Sequence, residues 1–250
     1  METLTRDGRT LAYRGNGDDP VLYVHGAGGD GRLWVEQEDE RLPPAVAVDL
    51  TGHGESDDAD LAPGEETLDT YARDVVAVAD ETGARAVVGN SMGGAVALWA
   101  VLEHGLSPDA LVLCGTGAKL GVGDDLLGLI GSDFDAAVEA LSAPDLLFHD
   151  PASAPVERAA AAMRDAGAAV TERDFRTCDA FDARDRLDEV GTRSLAITGE
   201  HDGMTPPSFT EYLGAELPDC EVALLDDCAH LSMLERPGAW NDRVAAFLAQ

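Results

Sequence analysis

Apolar residues along this chain follow two alternating patterns, continuous short runs and longer stretches with helical spacing. Continuous apolar runs are typical of strands that are buried on both faces of a sheet. One such run ends at Val88, and the others predict strands at residues 21–24, 45–48, 110–114, 194–198 and 221–225. The helical stretches lie between these runs. Tyr71, Val75 and Val78, for example, predict a helix that Gly83 ends.

The first residues show a different pattern. Apolar and polar residues alternate on both sides of Asp7-Gly8, which predicts an antiparallel hairpin over residues 2–14. A helix is predicted from Leu33 to a point near Pro43. The last helix is predicted to begin at Pro237, because proline is well tolerated in the first turn of a helix.

Between residues 116 and 184 the strand pattern is absent, and short helices are predicted instead at residues 124–130, 134–141, 155–166 and 171–181. The stretch is longer than an ordinary connection, so we interpret it as a helical insertion that covers the sheet. The alternation elsewhere predicts an α/β fold with a mostly parallel sheet flanked by helices. The predicted organisation is a core of residues 1–115 and 185–250 with an inserted helical cap of residues 116–184.

Acidic residues outnumber basic ones by 48 to 17, which gives a formal net charge of −31. This charge argues against a nucleic-acid partner, because the phosphates would be repelled. The acids are spread along the chain, and we interpret them as a solvated shell suited to high salt, where screening removes the self-repulsion. The pattern therefore predicts a halophilic protein, and the alternative is an ordinary acidic enzyme.

The sequence has no long apolar run and no basic segment followed by an apolar core. We therefore expect a cytoplasmic protein that does not bind membranes. The cysteines show no C-x-x-C spacing, so no metal site is predicted. The expected partner is a small molecule, and the expected state is a monomer or a homodimer.

The strand that ends at Val88 runs into Gly89-Asn90-Ser91-Met92-Gly93, and good helix formers follow. Strand, tight turn and helix is the setting in which G-x-S-x-G forms a nucleophile elbow, with the serine in a strained backbone conformation. A Cβ at Gly89 or Gly93 would collide with a neighbouring strand or helix. The motif also occurs by chance, so its interpretation depends on partner residues elsewhere.

A serine nucleophile needs a histidine base, and the histidine needs an acid that orients it. With such an elbow, the acid and then the histidine are expected on loops that follow later strands. Asp202 follows the strand at 194–198 and His230 follows the strand at 221–225, so we predict a Ser91-His230-Asp202 triad. Glu200 is the alternative acid. The simpler interpretations are a turn or helix-capping role for Asp202 and a structural histidine.

The oxyanion that forms during acyl transfer needs two backbone N–H donors. Met92, directly after the serine, is predicted to supply one of them. The glycine-rich loop at residues 25–29 is predicted to supply the other, with Ala27 as the first choice and Gly28 as the second. His25 is expected to support this loop by hydrogen bonding. A phosphate cradle is the alternative for the loop, but the loop lacks a lysine and a G-x-G-x-x-G pattern.

Together these motifs resemble the α/β-hydrolase superfamily, in the branch with a helical cap. The matching segments are residues 25–29, 49–56, 89–94, 199–202 and 229–230. The resemblance implies an esterase, lactonase, thioesterase, peptidase, carbon–carbon bond hydrolase or a relative of the non-haem haloperoxidases, without a cofactor. Dehalogenases and epoxide hydrolases of this superfamily carry aspartate in place of Ser91. The chain departs from the family at Thr51, where arginine or proline is usual.

The resemblance also implies that residues 116–184 lie over Ser91 and shape the substrate pocket. Gly28 and Trp34 are the predicted substrate-binding residues. Apolar side chains of the insertion are expected to line the pocket with them or simply to hold the insertion on the sheet: Leu126, Leu127, Leu129, Ile130, Phe134, Leu146, Leu147 and Phe148. An inward arginine would pair with a substrate carboxylate. The default substrate is a neutral ester, and the alternatives are an inactive binding module and a partner subunit recruited through its acidic face.

Overall fold

A computed structural model of the chain describes residues 1–152 and 155–250. Its strands are β1 (Glu2–Arg6), β2 (Arg9–Arg14), β3 (Val21–Val24), β4 (Ala45–Asp49), β5 (Ala86–Asn90), β6 (Ala110–Cys114), β7 (Ser194–Gly199) and β8 (Cys220–Leu225). They form one sheet in the order β1-β2-β4-β3-β5-β6-β7-β8. The pairs β1–β2 and β2–β4 are antiparallel, and the others are parallel. The predicted mostly parallel sheet is confirmed.

The helices are α1 (Glu65–Thr82), α2 (Met92–His104), α3 (Asp124–Ser132), α4 (Phe134–Leu141), α5 (Val156–Ala180), α6 (Pro207–Glu216), α7 (Ser232–Glu235) and α8 (Pro237–Leu248). Two 3-10 helices also occur in the described residues, Gly31–Gln37 and Arg184–Glu189. Helices α1, α2 and α6 contribute to the apolar cluster on one face of the sheet. The first 3-10 helix and α8 contribute to the cluster on the other face.

Strand β3 shows how the core is divided between the two faces. Its residues alternate in direction, as a strand requires. Leu22 and Val24 join the cluster that contains α1 and α2, whereas Val21 and Tyr23 join the cluster that contains Trp240. All four strand residues are buried, which confirms the prediction made from the continuous apolar run.

The hairpin at the start of the chain is confirmed as well. Arg6 pairs with Arg9 across a two-residue turn, and the turn residues Asp7 and Gly8 have φ angles of 51° and 78°. Positive φ at both positions is what the twist of a two-residue hairpin requires, and aspartate followed by glycine adopts it readily. The hairpin places β2 beside β4 at one edge of the sheet.

The predicted helix from Leu33 to Pro43 is wrong in type and length. A 3-10 helix at Gly31–Gln37 begins after Asp30, whose side chain accepts a hydrogen bond from the Arg32 backbone N–H. Two residues after the helix, the Asp39 side chain accepts the Arg41 backbone N–H at 2.9 Å. Such local side-chain bonds offer the backbone an alternative to helical bonding, and they explain the early end.

The segment between β6 and β7 contains α3, α4 and α5, and we call residues 116–184 the inserted segment. Helices α3 and α4 confirm two of the predicted helices. The other two predicted helices occur as one element, α5, broken at Gly167, where φ is 80° and ψ is 167°. A third apolar cluster packs these helices together. Residues 153 and 154 of the predicted cap lie outside the described residues, and the boundaries of a separate cap domain stay a prediction.

Candidate active site

Ser91 lies in the turn between β5 and α2, at the carboxyl end of the central parallel strands. Its backbone angles are φ 55° and ψ −119°, a strained conformation for a residue with a side chain. A Cβ at Gly89 would overlap the Gly93 carbonyl, and one at Gly93 would overlap the Val24 carbonyl of β3. Strand and helix therefore approach each other as closely as they do only because both positions are glycine.

Neighbouring strands hold this strained turn in place. The Ser91 backbone N–H donates to the Cys114 carbonyl at 2.9 Å. The Thr116 hydroxyl donates to the Ser91 carbonyl at 2.8 Å. Asn90 Nδ2 donates to the Cys114 carbonyl at 3.2 Å and to the His230 carbonyl at 3.5 Å. These bonds offset a backbone strain on the order of 1–3 kcal/mol. Ser91 is half-buried at the carboxyl end of β5.

Asp202 contacts His230, whereas Glu200 contacts other residues. The two oxygens of Asp202 lie 3.0 and 3.2 Å from Nδ1 of His230. Both side chains are buried. Glu200 is instead half-exposed, accepts the Asp227 backbone N–H at 3.0 Å and lies 3.3 Å from His201. Of the two acids that the sequence left open, Asp202 is the one positioned to orient the histidine.

Asp202 also makes local bonds of the kind a turn residue makes. One oxygen accepts the backbone N–H groups of Met204 and Thr205 at 2.9 and 2.8 Å. The other accepts the hydroxyls of Thr198 and Thr205 at 2.7 and 2.8 Å. Burial raises the pKa of Asp202, but His230 and these hydrogen bonds outweigh burial, and the pKa lies below its ordinary value. The turn role and the pairing with histidine therefore coexist in one carboxylate.

The inserted segment supports the loops that carry Asp202 and His230. The His230 and Leu231 backbone N–H groups donate to the carbonyls of Leu146 and Leu147 at 3.3 and 2.9 Å. The Gly203 N–H donates to the Asp145 carbonyl at 2.9 Å. Both loops thus bind a single short stretch of the inserted segment through their main chains.

The loop at residues 25–29 faces Ser91. The Gly28 N–H donates to the buried carboxylate of Asp174 at 2.8 Å, so Gly28, the second choice for the oxyanion donor, is not free to bind substrate oxygen. The Ala27 N–H makes no hydrogen bond to any described residue. Met92, at the first position of α2, has a fully buried side chain, and its N–H has no partner within the helix. The two predicted donors are thus unpaired.

His25 holds the loop as expected. Its Nδ1 lies 2.9 Å from the Gly26 carbonyl, and its Nε2 accepts the Leu50 backbone N–H at 3.2 Å. A ring that donates at one nitrogen and accepts at the other is neutral. Burial first, and then the neighbouring His53, lower the pKa of His25 to about 4.

Ser91 and His230 line one small cavity of about 40 Å³, and no hydrogen bond joins their side chains in the described residues. The other walls are mainly apolar: Gly26, Ala27, Gly28, Gly29, Leu33, Asn90, Leu147, Ala159, Met163, Phe175, Met204 and Leu231. A site for one water takes about 10–15 Å³, so the cavity is only a few waters in size. Contacts of catalytic groups are often long before a substrate binds.

The prediction of Trp34 as a substrate-binding residue is corrected. Trp34 is fully buried, with its ring 5.0 Å from that of Tyr23 and 6.0 Å from that of Trp240, and it is not among the residues that line the cavity. The 3-10 helix directs the neighbouring Leu33 to the cavity instead. Met92 likewise packs its side chain into the core.

Of the apolar residues predicted to line the pocket from the inserted segment, Leu147 reaches the cavity. Leu127 and Ile130 instead pack within the third apolar cluster, as the simpler interpretation had it. Each arginine of the segment contacts an acid: Arg158 with Glu36, Arg164 with Asp135, Arg173 with Asp58, Arg176 with Glu172 and Arg184 with Asp182. None of these arginines lines the cavity.

Two features outside the cavity have some of the properties of a ligand site. A depression of about 670 Å³ lies between residues 58–63 and α5, but no serine, cysteine or histidine lines it. Asp145, His149 and His201 have their ligand atoms within 4.8 Å of one another. The two imidazole rings stack at 3.8 Å with an interplanar angle of 9°, so their in-plane lone pairs run in parallel planes and do not converge on one ion.

Sequence reasoning missed several residues that support the site. Thr205 follows Asp202 by three positions, a spacing at which a hydroxyl and an N–H both reach the carboxylate. Thr116 follows β6 as Ser91 follows β5, which was a usable signal for a neighbour of the elbow. Asp174 gave none, because its partners are far away in the sequence.

Comparison with known proteins places this geometry in context. The model of the alpha/beta hydrolase family matches residues 21–243. A pimeloyl-(acyl-carrier protein) methyl ester esterase of Neisseria meningitidis is 26% identical over 236 residues, 88% of this chain and 90% of that protein. A solved thermophilic esterase shares a TM-score of 0.89 at 28% identity, over 99% of this chain and 96% of that one. The enol-lactonase of Burkholderia xenovorans has a TM-score of 0.87 at 21% identity over both whole chains, a likeness of fold.

Among the described helices, none has the length and apolar character needed to cross a membrane.

Proposed function

The chain belongs to the alpha/beta hydrolase family, and on that premise we propose that it is a serine hydrolase that cleaves a carboxylic ester. The observation that carries the proposal is the meeting of two groups at one cavity. Ser91, in its strained turn, and His230, paired with Asp202, both line it. The ester-cleaving relatives named above support the choice of an ester.

In the proposed reaction Ser91 Oγ attacks the ester carbonyl carbon, and its proton passes to Nε2 of His230. The tetrahedral intermediate then expels the alcohol, which takes the proton back from His230, and an acyl-enzyme remains. Water repeats these steps with His230 as the base, releasing the acid and restoring Ser91. Asp202, bound at Nδ1, keeps the proton on that nitrogen and stabilises the imidazolium that forms.

The oxyanion of each intermediate requires two donors that are already in place. We assign them to the backbone N–H groups of Ala27 and Met92, which lie on the loop before Ser91 and at the start of the helix after it. Preorganised donors of this kind account for a factor of about 10²–10³ in kcat each.

The cavity supports a short, neutral acyl group as the substrate. It is small and mainly apolar, and no Lys, Arg, Asp or Glu is among its described lining residues. We propose that the inserted segment acts as a cap, since it supplies the walls Leu147, Ala159, Met163 and Phe175. A small-molecule ester without a cofactor or nucleic-acid partner fits this site and the strongly negative charge.

A labelling experiment tests the proposal. The protein is incubated with a fluorophosphonate probe in molar potassium chloride, and the labelled residue is identified by mass spectrometry. We expect stoichiometric labelling of Ser91, none in Ser91→Ala, and unchanged labelling in Ser208→Ala, which alters an exposed serine. Hydrolysis of p-nitrophenyl esters should be fastest for acetate and fall with acyl length. Failure of the folded protein to label would contradict the assignment.

A further inference from the structure

One buried carboxylate near the cavity has no part in the proposed reaction. Asp174 lies on α5 in the inserted segment, and its side chain is fully buried. It accepts three hydrogen bonds: from the Gly28 backbone N–H at 2.8 Å, from Nε2 of His53 at 2.8 Å and from the Tyr71 hydroxyl at 2.7 Å. Burying a carboxylate is costly, so its partners must compensate it fully.

The charges around Asp174 favour its ionised form. Burial raises the pKa of Asp174, but the His53 charge and the hydrogen bonds outweigh burial, and the pKa lies below its ordinary value. Burial lowers the pKa of His53, but the Asp174 carboxylate outweighs burial and raises that pKa. Nδ1 of His53 faces the Thr51 carbonyl at 3.3 Å and Nε2 faces the Asp174 carboxylate, so both ring nitrogens are placed to donate. This arrangement makes the two groups a buried ion pair between the inserted segment and the sheet core.

The bond to Gly28 reaches the loop that faces Ser91. Gly28 has φ +64°, and a Cβ there would lie 3.0 Å from Met163 and 3.1 Å from Thr171. With its N–H bound to Asp174 and its Cα against α5, Gly28 has a fixed orientation. The Ala27 N–H lies on the preceding peptide unit, whose Gly26 carbonyl accepts the Gly29 backbone N–H at 3.0 Å. Gly28 lies between these two groups, so its bond to Asp174 helps to hold the turn that directs the Ala27 donor.

We infer that Asp174 is a positioning residue for the oxyanion hole, acting through Gly28 to direct the Ala27 N–H at the substrate oxygen. The inference rests on the proposed function, because it concerns the same site. Asp174 does not contact the reacting atoms. Its contribution is to hold a donor rigid before the charge develops, which is how such donors contribute most.

The competing explanation is that Asp174 only fastens the inserted segment to the core. Two neighbours, Tyr71 and Arg173, distinguish the explanations because they also join the inserted segment to the core but make no hydrogen bond to residues 25–29. Tyr71 supplies one of the three hydrogen bonds to Asp174. Arg173 joins α5 to the Ala59 carbonyl at 2.9 Å and to Asp58 at 2.9 Å.

The test compares Asp174→Ala with Tyr71→Phe and Arg173→Gln, all assayed on p-nitrophenyl acetate in molar potassium chloride. We expect Asp174→Ala to lower kcat by about 10–100-fold with KM within about twofold, somewhat less than the loss of a whole donor. Affinity for a trifluoromethyl ketone, which forms an oxyanion on Ser91, should fall by a similar factor. Tyr71→Phe and Arg173→Gln should lower Tm but keep kcat within about threefold.

Asp174→Asn is the rescue variant. Its amide oxygen can still accept Gly28 and His53 while its NH₂ group donates to Tyr71, so kcat should stay within about threefold of wild type. If Asp174→Ala does not fold, Asp174→Ser, too short to reach Gly28, replaces it. The inference would be overturned if Tyr71→Phe or Arg173→Gln, at the same loss of Tm, lowered kcat as much as Asp174→Ala does. An unchanged affinity of Asp174→Ala for the ketone would also overturn it. Wild type that neither labels with fluorophosphonate nor hydrolyses esters would instead overturn the proposed function.

Discussion

The sheet core and the inserted segment are held by different forces. In the core, apolar side chains cover both faces of the sheet, and buried leucine, valine, alanine and aromatic residues form two large clusters. The inserted segment has a smaller cluster of its own. It is joined to the core by polar contacts as well, through Asp174 to His53 and through the carbonyls of Asp145, Leu146 and Leu147.

The core carries the candidate catalytic residues, and the inserted segment carries residues that surround them. The triad candidates all follow core strands, where neighbouring strands fix their backbones. The inserted segment adds cavity walls and holds the loops from outside. Substitutions in the core loops are therefore expected to lower kcat without lowering stability, whereas substitutions at the junction should lower stability and, at Asp174, kcat as well.

The largest effect is expected in the core, from Asp202→Asn. The amide cannot keep the proton on Nδ1 of His230 as the carboxylate does, so kcat should fall by about 10³–10⁴-fold while the geometry persists. Steady-state kinetics on p-nitrophenyl acetate measure it. Glu200→Gln is the matched control and should leave kcat within about twofold. A loss in Glu200→Gln instead would exchange the roles of the two acids.

The next effect concerns the junction, through His53→Leu. This change leaves the Asp174 carboxylate buried without its charged partner, at a cost of about 3–5 kcal/mol in unfolding free energy. Urea unfolding followed by circular dichroism measures it. Arg176→Gln breaks an exposed pair on the same helix and should cost no more than about 0.5 kcal/mol. Equal costs for both variants would show that the junction is not held by buried charge.

The contribution of the His53–Asp174 pair to the free energy of unfolding is expected to depend on pH. The folded pKa of His53 is raised, so its contribution is present below its unfolded value of about 6.5 and is lost as pH rises through the folded pKa. The folded pKa of Asp174 is lowered, so its contribution is present above about 3.9 and is lost as pH falls through the folded pKa. The difference in unfolding free energy between wild type and His53→Leu should therefore be largest near pH 5 to 6. It should become smaller as pH rises above about 6.5, through the folded pKa of His53.

A smaller effect should act on both regions at once. Raising potassium chloride from low to molar concentration screens the repulsion within a chain of net charge −31. We expect a gain of about 2 kcal/mol, or about 5 °C in Tm. Sucrose of equal osmolality does not screen charge and is the control. A flat salt profile would contradict the halophilic interpretation, which stays a prediction together with the cytoplasmic location and the oligomeric state.

The smallest effect is a gain, from Gly128→Ala in α3. Apart from the neighbouring backbone of α3 itself, no described atom lies within 4 Å of a Cβ there, so alanine should stabilise the helix by about 0.5–1 kcal/mol. Gly105→Ala is the matched control, because its Cβ is equally free but its φ is +68° and alanine is strained there. Thermal unfolding should show opposite signs for the two variants. Equal signs would contradict the conclusion that backbone φ decides the outcome where space is equally open.

Much of the core could be predicted because its signals are local. Continuous apolar runs gave the parallel strands, Asp7-Gly8 gave the hairpin turn, and Gly89 with Gly93 gave the elbow around Ser91. The order of acid and histidine along the chain follows from strand order. Two positions needed a choice between neighbours, and contacts favour Asp202, which meets His230, and Ala27, because Gly28 is bound to Asp174.

The surroundings of the site could not be predicted in the same way. Trp34 and Leu33 are adjacent and both apolar, and a turn of 3-10 helix decides which of them meets the cavity. Asp174 is separated from Gly28 by 146 positions, so no spacing rule connects them. Helical periodicity found the helices of the inserted segment, but their placement depends on these long-range contacts.

The break of α5 at Gly167 bears on how such a protein can change its substrate. Two of the cavity walls that α5 supplies, Ala159 and Met163, lie before the break, whereas Phe175 lies after it. Arg173 and Asp174, which fasten the helix, also lie after it. Mutations in the first half can therefore remodel the acyl-binding wall without releasing the anchor. Substrate preference can therefore diverge between relatives through the first half of this helix, while the contacts of Asp174 that serve both stability and catalysis stay unchanged.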